Sequence, residues 1–262
     1  MADTFNKNEL ILDKVRSISF TDPETKEMLY RLTSLEDSSL NCTAEGDEIT
    51  DAIGSVITTL YRAKKAKFSA TNSLLSLDLA AAQYGSTKEV ASLTNKLKGH
   101  TYEILEIADS KVILKNQPIK DSVKFIYSIS NSEIGKSYKA GSVVSESEFV
   151  ISDSSKEIQT PTGLTGKIYV EYAYETEKAV KIANKTSEFP KTCSAIIYAY
   201  FKDKCNDNLV YSGAVICPKT KLNPESIELA LTSTGKHPFE FNMSKDYCDE
   251  TNDDLFTIVV SE

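Results

Sequence analysis

The sequence has no tryptophan, two histidines, ten glycines and no Cys-x-x-Cys pair. His100 and His237 lie in no cysteine–histidine or serine–histidine motif of recognisable spacing, so no catalytic, cofactor-binding or metal-binding residues are predicted. No stretch approaches the roughly 20 continuous apolar residues that a membrane-spanning helix needs. The chain is therefore predicted to be neither an enzyme nor a protein with a membrane segment.

The five cysteines are predicted to be free thiols. Met1–Leu12 is polar and does not resemble a secretory signal, which favours synthesis in a cytoplasm, where thiols stay reduced. Cys193, Cys205 and Cys217 recur every 12 residues, but they fall at predicted strand ends or in a turn. Small buried or half-buried hydrophobic side chains are predicted there instead of metal ligands.

The net charge of −8 argues against a protein that binds nucleic acid by neutralising its phosphates. Two segments of opposite charge nevertheless follow each other closely. The acidic segment Glu36–Asp51 is predicted to be a solvated loop, and it lacks the Asp-x-Asp-x-Asp-Gly spacing of a calcium loop. The basic run Arg62–Lys67 follows it.

These two segments are predicted to form a subunit interface. They either pair within one chain or act as complementary faces between subunits, since opposite patches steer encounter and fix register. Contacts of the second kind can stack subunits head to tail into rings or filaments. The candidate interface residues are Arg62, Lys64, Lys65, Lys67, Glu45, Asp47, Glu48 and Asp51.

Period-two patterns predict several strands in the C-terminal half. Ser194–Lys202 and Leu209–Cys217 are rich in β-branched and aromatic residues and flank a polar turn. The second of these strands is expected to stop at Pro218, because proline cannot donate to a ladder. A third strand is predicted at Glu225–Thr232, and the nearly continuous apolar segment Leu255–Val260 is expected to be buried on both faces, inside a sandwich or under a neighbouring subunit.

One helix is predicted at Ser73–Gln83, with Asn72 as its N-cap and Gly85 as its stop. Asp78 is its only charge, so the helix is expected to be largely buried. A second, more polar helix is predicted at Thr87–Leu97. The whole pattern predicts a mainly β fold, a β-sandwich or barrel of about ten strands with one flanking α-helix, because closure removes exposed strand edges.

The C-terminal half resembles bacteriophage tail tube proteins. The resemblance rests on the order Phe-Pro, strand, polar turn, strand with Tyr211-Ser-Gly213, Pro218-Lys-x-Lys-Leu222, alternating strand, Phe239-Glu-Phe241 and final apolar strand. The segment from Ala70 to Gly85 is similar to the single helix of such proteins. The match covers about half of the chain, and its motifs carry no catalytic signature.

The resemblance implies one tail-tube-like β domain over residues 1–262, with an inserted hairpin region at 101–166. It implies self-assembly into stacked rings, expected to be hexameric, that form a channel for DNA delivery into the host. The implied partners are other copies of the chain and other phage tail proteins, and DNA would pass without specific binding. The expected location is the virion tail, after synthesis in the bacterial host cytoplasm.

Two alternatives remain open at this stage. One is another virion component, such as a capsid decoration or tail terminator protein. The other is a β-sandwich module that binds a glycan or a protein, for which Tyr169, Tyr172 and Tyr174 are the candidate contact residues.

Overall fold

The computed structural model describes residues 9–206, 208–225, 227–228, 235–247 and 253–261. Contacts between residues divide the chain into two units: Met1–Lys88 with Ile182–Glu262 (unit 1) and Glu89–Lys181 (unit 2). The predicted mainly β fold is confirmed, with seventeen strands and one α-helix in the described ranges. None of the helical residues described there forms a segment long and apolar enough to cross a membrane.

The strands and the helix follow one another in this order. Unit 1 begins with β1 (Leu10–Thr21), β2 (Met28–Leu32), β3 (Leu35–Thr50), β4 (Val56–Asn72) and α1 (Leu77–Tyr84). Unit 2 contains β5 (Glu89–Val90), β6 (Leu97–Glu106), β7 (Lys111–Ile113), β8 (Phe125–Ser130), β9 (Glu133–Ala140), β10 (Glu148–Ile151), β11 (Glu157–Gln159), β12 (Lys167–Thr176) and β13 (Val180–Lys181). Unit 1 resumes with β14 (Thr192–Asp203), β15 (Val210–Leu222), β16 (His237–Met243) and β17 (Thr257–Ser261).

Unit 1 is an antiparallel sheet in the order β2-β1-β14-β15-β16-β4-β3, in which β17 also pairs with β15. An aromatic cluster of Phe20, Phe68, Phe239 and Phe241 lies in its core, and each of these side chains is buried. The rings of Phe68 and Phe241 are stacked at 5.2 Å, and Phe20 meets Phe241 edge-on at 5.7 Å. The predicted Phe-x-Phe segment therefore supplies the centre of the core.

Strand β15 continues beyond Pro218, so the predicted stop at that residue is wrong. Cys217 pairs with Ala195 and Thr220 pairs with Cys193, which leaves two residues of β15 opposite one residue of β14. The proline therefore lies in a β-bulge, a position where a missing backbone donor is tolerated. The second neighbour of β15 also changes here, from β17 to β16.

The final apolar strand is present as β17, but the described residues do not bury it on both faces. Ile258 is 53% exposed and Val259 is 48% exposed. Most of the strand predicted at Glu225–Thr232 lies outside the described residues, and Ile227 and Glu228 belong to no strand.

Helix α1 is shorter than the predicted segment Ser73–Gln83, because its N-cap is Ser76 and not Asn72. The hydroxyl of Ser76 accepts a hydrogen bond from the backbone N–H of Leu79 at 3.2 Å. Asn72 is instead the last residue of β4, where its side chain donates to a backbone carbonyl. Gly85 ends the helix as predicted, in a left-handed conformation with φ of +69°.

The second predicted helix, Thr87–Leu97, is absent. This segment contains the short strand β5, in which Glu89 pairs with Lys181, and Leu97 opens β6. Local periodicity cannot indicate a strand partner as distant along the chain as β13. A short polar segment also has only a weak helix preference, so pairing with β13 can override it.

Unit 2 has its own sheet and its own core. The sheet order is β6-β12-β8-β9-β10-β11-β7, and β5 pairs separately with β13. Ile126, Phe149, Ile158 and Ile168 are fully buried in this core. Residues 101–166, predicted as an inserted hairpin region, lie inside unit 2, where the main partner of β6 is β12.

We expect Gly85→Ala to lower the free energy of unfolding by at least about 2 kcal/mol. A Cβ there would lie 2.1 Å from the backbone oxygen of Phe189, in addition to the strain of a left-handed residue. Gly54→Ala is the matched control, because Gly54 has φ of +89° but no atom within 4 Å of the position that a Cβ would take; its cost should be about 1 kcal/mol. Urea denaturation measures both, and equal costs would contradict the role of the Phe189 contact.

The fully buried His237 links the start of α1 to its last turn. Its Nδ1 accepts a hydrogen bond from the backbone N–H of Ser76 at 3.4 Å, and its Nε2 lies 2.6 Å from Oε1 of Gln83. An amide oxygen only accepts, so Nε2 carries the proton and the ring is neutral. Burial lowers the pKa of His237 below its ordinary value of 6.5.

The stability that neutral His237 contributes should be complete above pH 6.5 and lost as the pH falls through its lowered folded pKa. We expect the free energy of unfolding to decrease from about pH 7 to about pH 5, because the unfolded chain binds the proton more readily. His237→Gln should flatten this part of the profile, measured by urea denaturation at a series of pH values. His100→Gln, at an exposed position, is the control; an unchanged slope in His237→Gln would overturn the assignment.

Candidate assembly surface

The predicted acidic loop is a strand. Residues 35–50 form β3, which pairs antiparallel with β4 from Leu35 opposite Asn72 to Thr50 opposite Val56. Asp51 begins the connecting turn, and its carboxylate accepts hydrogen bonds from the backbone N–H groups of Ile53 and Ser55. The segment is mostly polar and exposed, so it lacks the apolar alternation from which a strand is predicted. Its strand conformation depends on pairing with β4 and not on burial, and this is why the loop prediction was wrong.

The outer part of this β-hairpin extends beyond the rest of the sheet. Strand β16 pairs with β4 only between Ala66 and Asn72. Residues 43–50 and 56–65 continue as a two-stranded ribbon, the distal hairpin, for which the described chain supplies no third strand. Ten residues at about 3.3 Å each give it a length of about 30 Å.

Large apolar side chains are exposed on the distal hairpin and its turn. An isolated two-stranded ribbon is marginally stable in water, and exposed apolar groups weaken its solubility. The combination is typical of a segment that is covered by another molecule. The exposed side chains are Ile49, Ile53, Val56, Ile57, Leu60 and Tyr61, with exposures from 43% to 88%.

Some of the predicted interface charges are brought together within the hairpin. Nε of Arg62 lies 2.9 Å from a carboxylate oxygen of Asp47, and Lys65 pairs with Glu45. The hydrogen bond from the Lys65 ammonium lowers the pKa of Glu45. The acidic and basic segments therefore pair within one chain at these two positions, and the predicted contact between subunits stays a hypothesis.

The other predicted charges have different surroundings. Lys67 belongs to the part of β4 covered by β16, where it pairs with Glu240 at 2.9 Å. The carboxylate of Asp51 is hydrogen-bonded to backbone N–H groups of the turn. Lys64 and Glu48 are exposed and form no ion pair with the residues that the structure describes.

The three tyrosines predicted as glycan or protein contacts do not share a surface. Tyr172 is buried, and its hydroxyl donates to Glu103. Tyr174 is half-buried, whereas Tyr169 lies on the opposite face of β12 and stacks on Tyr102. Tyr102 was missed, because Tyr102 and Ile104 share one face of β6 and their alternation with Glu103 gives no sign in the sequence that this face is exposed.

The thiols fit the prediction of buried hydrophobic side chains at two positions. Cys193 and Cys217 are buried, and burial raises the pKa of Cys217 to about 12. Cys205 is exposed in the turn between β14 and β15. Within the described ranges no three His, Cys, Asp or Glu side chains are grouped so as to bind a metal ion.

Comparison with known proteins gives one family. A model described as the YomU/Tube protein family matches residues 10–258, which include strands of both units and the whole β3–β4 hairpin. No curated protein matches the chain.

The ion pairs of the hairpin should contribute little to the stability of a single chain, because both partners are exposed. We expect Lys65→Glu to leave the midpoint of urea denaturation unchanged within error, at a concentration where the chain sediments as a monomer. Phe241→Ala, at the fully buried centre of the core, should by contrast cost about 3–5 kcal/mol. A large loss in Lys65→Glu would show that the distal hairpin depends on this pair and not on an outside partner.

Proposed function

Because the chain belongs to the YomU/Tube protein family, we propose that it is the major tail tube subunit of a tailed bacteriophage. In this proposal it self-assembles into rings, hexameric by analogy with tail tube proteins, that stack into a channel for DNA delivery into the host. Its partners are other copies of itself and other tail proteins. It is made in the host cytoplasm and becomes part of the virion tail.

The distal hairpin is the main observation that supports the proposal. A ribbon of about 30 Å with open edges and exposed Ile57 and Tyr61 gains free energy when a neighbouring subunit covers it. Apolar contacts supply affinity in such an interface, while charges fix its register. We propose that the hairpin reaches the next ring, with Lys64 and Glu48 free to pair across the contact.

Strand β17 is the second feature that supports assembly. It pairs with β15 on one side, and Ile258 and Val259 are exposed. An exposed apolar edge strand is a template for pairing with another chain. We propose that a neighbouring subunit of the same ring covers it, which corresponds to the predicted alternative of burial between subunits.

The charge of the chain fits a channel for DNA. At −8 per subunit, a ring carries a large negative charge that repels the phosphate backbone. DNA would then move through without binding to the wall. The absence of specific DNA binding is part of the proposal.

Negative-stain electron microscopy of the concentrated full-length protein, with sedimentation velocity on the same sample, tests the proposal. Hollow tubes or stacked rings are the expected result. A uniform monomer at every concentration and salt tested would overturn it.

We expect Ile57→Asp to abolish stacking, because a charge at the apolar turn end would be buried without a partner.

Lys64→Glu with Lys65→Glu should raise the concentration needed for assembly and change its salt dependence. Electron microscopy and sedimentation measure both.

The matched controls lie in unit 2. Ile113→Asp changes an isoleucine that is 69% exposed, against 66% for Ile57. Lys136→Glu with Lys167→Glu reverses two exposed lysines that form no ion pair in the described chain. Equal effects of the hairpin variants and their controls would show that the hairpin is not the contact.

A further inference from the structure

Unit 2 carries a cleft that is separate from the distal hairpin and β17, the features of unit 1 proposed for assembly. The cleft has a volume of about 760 Å³ and opens over β6, β12 and β8, which are adjacent in the sheet. This volume is within the range of sites for small ligands. The lining side chains all belong to unit 2 and include both aromatic and charged groups.

A row of tyrosines crosses these three strands. Tyr102 on β6 stacks on Tyr169 of β12 at 5.5 Å, and Tyr127 of β8 lies 6.2 Å from the other side of Tyr169. Cross-strand pairing fixes the spacing of these rings. Tyr102 is still 63% exposed although one of its faces is covered, and Phe125, which also lines the cleft, is 47% exposed. Rigid aromatic surface is therefore open to a ligand.

Hydrogen-bonding groups of both kinds surround the exposed rings. Glu171 lies opposite Tyr102 in the sheet and offers acceptor oxygens at the floor of the cleft. Lys98 and Lys124 contribute ammonium donors that no described residue engages in an ion pair. His100 lies on the same strand face as Tyr102 and adds a further polar group.

This combination selects a class of ligand. Sugar hydroxyls both donate and accept hydrogen bonds, and the C–H faces of a sugar ring pack on aromatic rings, whose faces carry partial negative charge. An apolar peptide would leave Glu171 and the two lysines desolvated without partners, which is costly. The cleft matches a saccharide better than an apolar peptide.

Single-stranded nucleic acid also stacks on aromatic side chains, but it needs a positive groove along its backbone. Here an exposed carboxylate, Glu171, lies on β12, the middle strand of the three, and accepts a hydrogen bond from the Tyr169 hydroxyl. That hydrogen bond raises the pKa of Tyr169 to about 12, so the phenol stays neutral at ordinary pH. A phosphate backbone would be repelled at this point.

We propose that this cleft binds a saccharide chain, with Tyr102 as the stacking residue and Glu171, Lys98 and Lys124 as hydrogen-bonding partners. The site is a surface of the subunit itself, and it does not depend on ring formation. A tube subunit with such a site would carry a polysaccharide-binding surface.

The test uses labelled full-length protein on a microarray of purified bacterial polysaccharides, some neutral and some bearing phosphate or uronate groups. Calorimetric titration with the strongest-binding polysaccharide then gives its affinity, and an oligothymidylate is titrated in parallel. We expect Tyr102→Ala and Glu171→Gln each to weaken polysaccharide binding by about tenfold or more. Tyr247→Ala, at a tyrosine that is 81% exposed in unit 1, should leave it unchanged.

Circular dichroism confirms that the exposed-site variants fold, and electron microscopy shows independently whether they form tubes. Tubes without polysaccharide binding would overturn the cleft proposal and leave the tube proposal intact. Binding that survives Tyr102→Ala would also overturn it, as would tight binding of oligothymidylate alone. A preference for acidic over neutral polysaccharide would assign the larger role to Lys98 and Lys124.

Discussion

The aromatic cluster of unit 1 is the interaction on which the rest of that unit depends. The cluster joins distant parts of the chain: Phe20 lies on β1, Phe68 on the part of β4 nearest the sheet, and Phe239 and Phe241 on β16. The ring centroids of these residues lie 5.2 to 6.5 Å apart. Burial of these rings holds distant parts of the chain in one sheet. The same contact anchors β4, so the hairpin can extend beyond the sheet without support at its far end.

The distal hairpin is a folded segment whose apolar side chains remain exposed, although the core of unit 1 is buried. Its ion pairs are exposed and its apolar residues have no cover within the described chain, so little of its free energy is gained by folding alone. Association with another subunit would supply the missing burial. In the proposed tube, one projecting element per subunit would repeat the same contact along the channel.

Particular residues explain which local features were predictable. The Tyr-x-Gly segment marks a real constraint, because a Cβ on Gly213 would lie 2.3 Å from the ring of Phe201 on the neighbouring strand. The strands around it and the stop at Gly85 follow from β-branched residues and left-handed turn geometry. Pro218 and Asn72 led to wrong predictions, because a β-bulge accepts the proline and strand pairing includes Asn72 as the last residue of β4.

By itself, the sequence determined the mainly β class, the negative charge, the positions of most C-terminal strands and the family resemblance. These depend on residue type and on period-two alternation, which are local properties. Three features became visible only in the folded chain: the acidic segment is a strand paired with the basic one, β6 pairs with β12, and Tyr102 stacks on Tyr169. Strand partners are chosen by the burial and hydrogen bonding of residues far apart in the chain, and the free energy of those contacts does not appear in any local pattern.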